Sequence, residues 1–357
     1  MIVDLIDKLV QKENLTFDES KSAMTLIMEG EATPSQFGSL ITALRMKGET
    51  VDEVSGMASV MRSMSLPVQA GSDLIDTCGT GGDGFGTFNI STAAAFVAAG
   101  AGQKIAKHGN RAMSSKSGSA DVLEALGVNI QLSPEQISNC IEETGFGFMF
   151  AQSFHPSMKY AAGPRREIGI RTVFNLLGPL TNPAGAARQV IGVADSSVGE
   201  LMAKALGRLG SDRALVVHGD DGLDEITIST SSTVWELEGG NVKKYQIKPQ
   251  DFGLSVSSLD QIKADNAVES ATLIRTVLAG ESSAARDIVL LNVGASLFVA
   301  GMSNKFDECI SIGADAIDSG KAMKSLDEHI KLSLSLIHIS EPTRRTPISY
   351  AVVCLKK

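Results

Sequence analysis

The sequence lacks paired cysteines, long apolar runs and an excess of positive charge, and each absence excludes a class of protein. Its four cysteines are widely spaced and form no CxxC pair, which favours a reducing cytoplasm. No apolar run is long enough to span a bilayer, and the opening MIVDLIDKLVQKENLT predicts an amphipathic helix, not a signal peptide. The net charge of −9 argues against a nucleic-acid binder, which usually carries a basic face. An anionic ligand would therefore need local cations, backbone amides or metal ions to hold it.

Helical and strand patterns alternate through most of the chain, which predicts an α/β fold with a mostly parallel central sheet. Residues 1–70 show helical patterns only, and we expect a small all-helical domain whose apolar face suits a homodimer. Residues 71–332 are expected to form the large α/β domain, with a strand predicted at residues 128–130 and a hairpin around Gly239-Gly240. A segment around residues 165–185 is expected to pack back on the helical domain.

The stretch DTCGTGGDGFGTFNIST, residues 76–92, places glycines after a predicted strand and before a predicted helix. The pattern GxGxxG is present, but the next strand ends in Lys107-His108 where a dinucleotide site would have an acid, and no GK[ST] follows. What remains is a bare backbone whose amides can approach an anion, with a helix N-terminus beside it. Asp83 would then accept a hydrogen bond from the ligand or act through a cation. A tight surface turn is the competing interpretation.

Cations and hydroxyl groups follow the next predicted strand. The segment KHGNR, residues 107–111, ends that strand at the sheet edge where ligands of open α/β sheets bind. The segment SSKSGSAD, residues 114–121, brings hydroxyl groups and a lysine to a helix N-terminus, which predicts another anion cradle, although plain helix capping explains it equally well.

Acidic residues cluster after the strand RALVVHG. Asp220, Asp221, Asp224 and Glu225 offer the hard oxygen ligands that Mg²⁺ prefers alongside substrate phosphates, with a solvated acidic turn as the alternative. Upstream, a helix carrying Arg165 and Arg166 precedes RTVFNLLGPLTNPA. Arginine suits a planar carboxylate, and we expect one of the two to bind such a group while the other makes only a salt bridge.

These motifs together resemble the anthranilate phosphoribosyltransferase family. DTCGTGGDGFGTFNIST, KHGNR, SSKSGSAD, RTVFNLLGPLTNPA and GLDEI occur in the order and spacing of that family, and the resemblance covers about residues 1 to 332. It implies a nucleoside-phosphorylase-type fold, usually dimeric through the helical domain. It also implies transfer of a phosphoribosyl group from phosphoribosyl pyrophosphate to anthranilate, in tryptophan biosynthesis, with two Mg²⁺ ions.

The resemblance also implies which residues bind each substrate. It assigns the metals to Ser91, Asp224 and Glu225, and it assigns no residue as a general base. It assigns anthranilate to Gly79, His108, Asn110 and Arg165. It assigns phosphoribosyl pyrophosphate to a larger set, comprising Gly79, Thr80, Gly81, Gly82, Asp83, Thr87, Asn89, Ser91, Thr92, Lys107 and Ser119.

Other functions stay open at this point. A pyrimidine nucleoside phosphorylase, or a related phosphoribosyltransferase that uses another amine, would share the fold, as would a non-catalytic binding protein. The length and the lack of a cysteine nucleophile elbow exclude a fused glutamine amidotransferase, but a separate anthranilate synthase subunit is a candidate partner. We expect no nucleic-acid or membrane partner.

The last residues are unlike the rest of the chain. LSLIHISEPTRRTPISYAVVCLKK, residues 334–357, resembles the translation of a sequencing adapter, with one mismatch at Val353. We therefore expect that residues 333–357 are a non-native tail and that the natural end is lost near Leu332. A genuine C-terminal strand is the alternative.

Overall fold

Residues 2–63 form a bundle of four helices, as their apolar periodicity predicts. The computed structural model describes residues 2–112 and 116–336. Capping boxes at Thr16, Thr33 and Thr50 start the second, third and fourth helices, because each hydroxyl accepts an N–H that the first turn would leave unpaired. The helices are α1 (Ile2–Val10), α2 (Phe17–Met28), α3 (Pro34–Lys47) and α4 (Val51–Ser63).

A buried carboxylate at Glu53 ties the bundle together. It accepts the backbone N–H of Leu15 at 2.9 Å and that of Thr50 at 2.8 Å. The ammonium of Lys47 pairs with the same carboxylate at 3.0 Å, and both side chains are almost wholly buried. A buried charge is tolerated when it has such a set of partners. The start of α2, the end of α3 and the start of α4 are therefore held in one arrangement.

A central seven-stranded sheet forms the second domain. Its strands are β1 (Leu74–Gly79), β2 (Lys104–Gly109), β3 (Phe146–Phe150), β4 (Arg188–Gly192), β5 (Arg213–Gly219), β6 (Ser232–Glu238) and β7 (Asn241–Ile247). Their order is β3-β2-β1-β4-β5-β6-β7; the first five are mutually parallel, and β6 and β7 add an antiparallel hairpin. The predicted fold class and the predicted hairpin are confirmed.

The strand order creates a crevice at the carboxyl edge of the sheet. The chain moves outward from β1 to β3 and then returns to β4 on the other side of β1. The loops that follow β1 and β4 therefore diverge, and such a switch point is where open α/β sheets bind ligands.

Within residues 2–112 and 116–336, eleven further α-helices cover the sheet or cross between the domains. They are α5 (Ile90–Gly100), α6 (Ser119–Leu126), α7 (Pro134–Thr144), α8 (Ala151–Phe154), α9 (Lys159–Ile168), α10 (Phe174–Leu177), α11 (Gly199–Arg208), α12 (Ala267–Leu278), α13 (Ala284–Ala300), α14 (Phe306–Asp318) and α15 (Lys321–Ser335). Helices α5, α6 and α12–α15 share one apolar core with the sheet, whereas α11 joins the core of the N-terminal bundle. None of the helices that the structure describes could cross a membrane.

The segment that carries α9 and α10 packs on the N-terminal bundle. Helix α9 contacts α2 and α3, and α10 contacts α4. The ring of Phe174 lies 5.4 Å from that of Phe37, centroid to centroid. Because Leu177 of the same segment shares its core with Ile191 of β4, the crossing segment joins the two domains.

The prediction of a strand at residues 128–130 is wrong. In the described part of the chain these residues pair with no strand. The backbone N–H of Asn129 instead donates to the hydroxyl of Ser333 at 3.1 Å, and its side-chain amide donates to the Ser333 carbonyl at 3.4 Å. Ser333 of helix α15, which is distant in sequence, thus accepts the hydrogen bonds of Asn129 that pairing with another strand would have replaced. That helix runs to Ser335, and residues 337–357 of the anomalous tail lie outside the described residues.

A buried histidine on α15 makes the core sensitive to acid. His329 lies edge-on to Phe146, with centroids 4.8 Å apart, and Thr144 Oγ1 is 3.3 Å from its Nδ1. Burial lowers the pKa of His329 to about 3. Since an unfolded histidine titrates near about 6.5, the unfolded chain binds more protons than the folded one between these values. Stability is therefore complete above the unfolded pKa and is lost as the pH falls toward the folded one.

Replacing His329 with Phe should make the protein less sensitive to acid. Between about pH 7 and about pH 5, the wild-type free energy of unfolding should fall about 2 kcal/mol more than that of His329→Phe, because only the wild type must bind this proton on unfolding. Urea denaturation followed by circular dichroism at the two pH values measures the difference. Parallel pH dependences would contradict the buried neutral state of the imidazole.

Candidate active site

The glycine-rich loop after β1 lies at the crevice. Gly81, Gly82, Gly84 and Gly86 have φ between 63° and 79°, a conformation that side chains other than glycine rarely adopt. The N–H of Thr80 donates to the carbonyl of Gly192 at 2.8 Å and fastens the start of the loop to the end of β4. The glycines are therefore needed for the path of the loop, which leaves backbone amides exposed at the carboxyl edge of the sheet.

An acid from the segment after β5 contacts the same loop. The Asp224 carboxylate accepts the N–H of Gly81 at 2.8 Å. A Cβ on Gly79 would lie 2.6 Å from Asp224 Oδ2, so Gly79 has no space for a side chain. The sheet order explains this approach, because only β4 separates β1 from β5.

The surroundings of Asp224 and of its neighbour Glu225 disfavour the ionised form of each carboxyl. Burial, and then the adjacent Asp83 carboxylate, raise the pKa of Asp224 to about 7. Burial, and then Asp224, raise the pKa of Glu225 well above its usual value. Both side chains keep some exposed surface, yet the loop and β1 enclose them. Crowded carboxyls of this kind either bind a proton, as the raised pKa values indicate, or pair with a cation.

The buried ammonium of Lys107 supplies a positive charge beside them. Lys107 is 1% exposed, and its Nζ donates to Ser91 Oγ at 3.1 Å and to the Thr77 carbonyl. Burial lowers the pKa of Lys107, while the charges of Asp76 and Glu225 act in the opposite direction. Strand β2 thus places this lysine between the acids and the N-terminus of α5.

The N-terminus of α5 completes this side of the crevice. Asn89 caps the helix, and its Oδ1 accepts the backbone N–H of Thr92 at 3.2 Å. The preceding Thr87 forms an isolated antiparallel bridge with Lys263. Because the first-turn amides of a helix favour anions, this end suits a phosphate.

His108 is a buried, neutral imidazole at the end of β2. Its backbone N–H donates to Asp76 Oδ1 at 3.1 Å, and its ring centroid lies 5.1 Å from that of His155. Burial, and then His155, lower the pKa of His108 to about 3. Nearby, Asn110 is exposed, and the Ser119 hydroxyl donates to its carbonyl at 3.4 Å.

Arg165 is an unpaired, half-buried guanidinium on α9. It stacks over the ring of Phe174 at 4.9 Å, and burial lowers its pKa. Across residues 2–112 and 116–336, no carboxylate forms a salt bridge with it. The adjacent Arg166 is exposed. Arg165 therefore carries a charge that no described carboxylate neutralises.

Half of the predicted acidic cluster points away from the site. Asp220 accepts from Thr233 and from Gln246, both at 3.0 Å, and Asp221 accepts from Thr227 at 2.6 Å. These bonds brace the β5–β6 connection, so the structure separates this pair from Asp224, which contacts the glycine-rich loop.

Two other predicted cation-bearing segments need separate comment. Arg111 pairs with Asp121 at 2.9 Å and with Glu124 at 2.5 Å, so its charge is engaged within the protein. Of the predicted cradle at residues 114–121, Ser114 and Ser115 lie outside the described residues.

One residue at the site has no counterpart among the predicted residues. Arg171 follows α9, and its Nη1 donates to the carbonyl of Gly81 at 3.0 Å. Behind this contact is a cavity of about 180 Å³, and its lining includes Arg45, Glu49, Thr80, Arg171, Asn175 and Asp195. The only sequence signal for Arg171 is its place at the head of the motif RTVFNLLGPLTNPA.

The acids fit magnesium that arrives with a phosphorylated ligand. Among the described side chains, no group of three or more His, Cys, Asp or Glu could hold a metal by itself. Mg²⁺ characteristically uses one or two carboxylates and takes its remaining ligands from substrate phosphates and water. Asp224 and Glu225, crowded and hard in donor type, match this incomplete donor set.

Comparisons with known proteins agree with this geometry. Residues 3–65 match the helical bundle domain of a glycosyl transferase family, and residues 71–323 match its a/b domain. The anthranilate phosphoribosyltransferase of Acetivibrio thermocellus is 52% identical over 342 residues, which are 96% of this chain and 99% of that protein. The chain therefore belongs to this glycosyl transferase family and, within it, to the anthranilate phosphoribosyltransferases, as the sequence motifs predict.

Solved structures of the family give the same result. The anthranilate phosphoribosyltransferase of Thermus thermophilus superposes with a TM-score of 0.88 at 42% identity, covering 93% of this chain and 99% of that one. The Saccharomyces cerevisiae protein, in complex with PRPP and Mg, has a TM-score of 0.86 at 28% identity, covering 94% and 98%. The yeast protein is also solved in complex with 4-fluoroanthranilate.

Proposed function

We propose that this chain transfers the phosphoribosyl group of phosphoribosyl pyrophosphate to the amine of anthranilate. The products are N-(5′-phosphoribosyl)anthranilate and pyrophosphate, in tryptophan biosynthesis. The observation that carries the proposal is the contact between the Gly81 amide and Asp224, together with the buried Lys107 ammonium that bonds Ser91 at the start of α5. Exposed amides, a buried cation and crowded acids in one crevice are what a magnesium-bound polyphosphate requires. The yeast relative in complex with PRPP and Mg supports this assignment.

The residues around the loop would hold the phosphoribosyl substrate. Its amides act as fixed dipoles toward phosphate, and the α5 N-terminus adds a second set. The buried ammonium of Lys107 contributes positive charge. The proposed set is Gly79, Thr80, Gly81, Gly82, Asp83, Thr87, Asn89, Ser91, Thr92, Lys107 and Ser119.

Asp224 and Glu225, together with Ser91, would hold two magnesium ions. Bound magnesium supplies Lewis-acid stabilisation of the charge that develops on the departing pyrophosphate. The high pKa of the Asp224 carboxyl indicates that its ionised form needs a cation partner. Lys107, which bonds Ser91, keeps that hydroxyl oriented toward the acids.

Anthranilate would bind between the loop and the crossing segment. Arg165 has no carboxylate partner among the described residues and would orient the anthranilate carboxylate, so that the amine faces the ribose carbon. Asn110, His108 and Gly79 would complete the contacts. A neutral His108 adds no repulsive or attractive charge to the aromatic ring.

The chemistry would depend on leaving-group departure. The aromatic amine of anthranilate is neutral and weakly nucleophilic, so we expect a dissociative displacement with an oxocarbenium-like transition state and no covalent enzyme intermediate. The residues contribute orientation and electrostatic stabilisation. We assign no general base, since the amine proton can leave to pyrophosphate or water after the C–N bond forms.

The helical domain would form a cytoplasmic homodimer. Its outer surface exposes Val3, Val10 and Met46, which are 60%, 66% and 82% exposed. Burying such side chains against a second copy stabilises the dimer. A separate anthranilate synthase subunit is a further proposed partner that would supply anthranilate.

Removing the acids should abolish magnesium-dependent turnover. In Asp224→Ala and Glu225→Ala, kcat should fall at least about a hundredfold, because charge on pyrophosphate is no longer offset. The fluorescence of the anthranilate product, recorded against magnesium concentration, measures this.

The control is Asp220→Asn. It removes the charge of an acid in the same segment, keeps the size of the side chain and should retain turnover. Unchanged magnesium dependence in the Asp224 and Glu225 variants would contradict the metal assignment. Phosphorolysis of thymidine by the wild type, without transfer to anthranilate, would favour the nucleoside phosphorylase alternative.

Replacing Arg165 should weaken anthranilate binding selectively. We expect Arg165→Ala to raise the KM for anthranilate about tenfold, because a charged hydrogen-bond pair is lost, and to leave the KM for phosphoribosyl pyrophosphate within about twofold. Arg166→Ala, an exposed neighbour, serves as the control. A defect confined to phosphoribosyl pyrophosphate would show that another arginine binds anthranilate.

A further inference from the structure

Arg171 contacts the glycine-rich loop directly from the crossing segment. Its Nη1 donates to the Gly81 carbonyl at 3.0 Å. A Cβ placed on Gly82 would lie 2.1 Å from the same nitrogen, so the guanidinium occupies the space that a side chain at Gly82 would take. The residue itself stands between α9 and α10, the helices that pack on the N-terminal bundle. The contact therefore joins the helical domain to the loop.

The opposite side of the same glycine is also held. The Gly81 N–H donates to Asp224 Oδ2 at 2.8 Å. One glycine, with φ of 63°, is thus fixed through its carbonyl by one domain and through its N–H by the segment after β5. Glycine has the largest backbone freedom of any residue, and these two bonds restrict it where a side chain cannot.

The guanidinium is not committed to an ion pair. In the described part of the chain, no carboxylate forms a salt bridge with Arg171, and its side chain is exposed at the cavity behind the loop. Glu49 and Asp195 also line that cavity. Among the described residues, the hydrogen-bond partner of Arg171 is therefore the Gly81 carbonyl of the loop.

We propose that Arg171 is a positioning residue that ties the helical domain to the glycine-rich loop and, with Asp224, sets the substrate-free conformation of Gly81. The inference rests on the proposed function, because it takes the loop to bind the phosphoribosyl substrate. The two bonds differ in what competes with them. Asp224 is also proposed to hold the metal, so a metal ion would compete for its carboxylate, whereas no proposed ligand competes for the contact between Arg171 and the carbonyl.

The loop should become more mobile when this contact is removed. We expect amide hydrogen exchange of residues 79–86 in metal-free protein to be about tenfold faster in Arg171→Ala than in wild type, because a charge-assisted hydrogen bond is lost. Arg171→Lys can still donate one bond and should restore part of the protection. Arg166→Ala removes an arginine from the same segment and should leave exchange at the loop unchanged.

Steady-state kinetics give an independent readout. In Arg171→Ala, the KM for phosphoribosyl pyrophosphate should rise roughly threefold to tenfold, with kcat changed by less than about twofold, because a less ordered loop binds more weakly. Unchanged exchange at residues 79–86 would overturn the inference. Faster exchange spread evenly over β1 and α5 would also overturn it, since that indicates general destabilisation.

The activity assay tests the proposed function separately from the role of Arg171. If wild-type protein transferred no phosphoribosyl group to anthranilate, the proposed activity would be wrong. The exchange measurement uses no substrate and would still decide whether Arg171 orders the loop.

Discussion

The crowding of Asp224 and Glu225 against a backbone-only loop is the constraint on which the site depends. Parallel strands bring β1 and β5 to the same edge of the sheet, and glycine at position 79 allows the carboxylate to approach. Both acids have raised pKa values, first because they are buried and then because of a neighbouring carboxylate, Asp83 beside Asp224 and Asp224 beside Glu225. A divalent cation shared with substrate phosphates would relieve this repulsion, which is why we propose that the arrangement favours a metal-bound polyphosphate.

The helical domain contributes to this site through the crossing segment. The core of the bundle continues from Phe37 to Phe174 and on to Ile191 of β4. The same segment carries Arg165, which stacks on Phe174, and Arg171, which contacts the loop.

Local signals in the sequence predicted much of the fold, and contacts between distant residues account for the misses. Helical periodicity predicted the N-terminal helices, and the Gly239-Gly240 turn predicted the hairpin, since both signals act within a few residues. The strand predicted at residues 128–130 failed because Asn129 bonds Ser333 on a distant helix. Asp220 could not be separated from its neighbour Asp224 because Asp220 bonds Gln246 across the hairpin, whereas Asp224 bonds Gly81 of the glycine-rich loop. Arg171 was missed for the same reason, as its partner Gly81 is distant in sequence.

The central claim is that Asp224 and Glu225 bind phosphoribosyl pyrophosphate only through a divalent cation. Calorimetric titration of phosphoribosyl pyrophosphate into the wild-type protein, with magnesium and then with a chelator, tests this most directly. The account predicts an affinity at least about tenfold weaker in the chelator, because the ligand phosphates would face the uncompensated charge of Asp224 and Glu225. Equal affinity under the two conditions would contradict it.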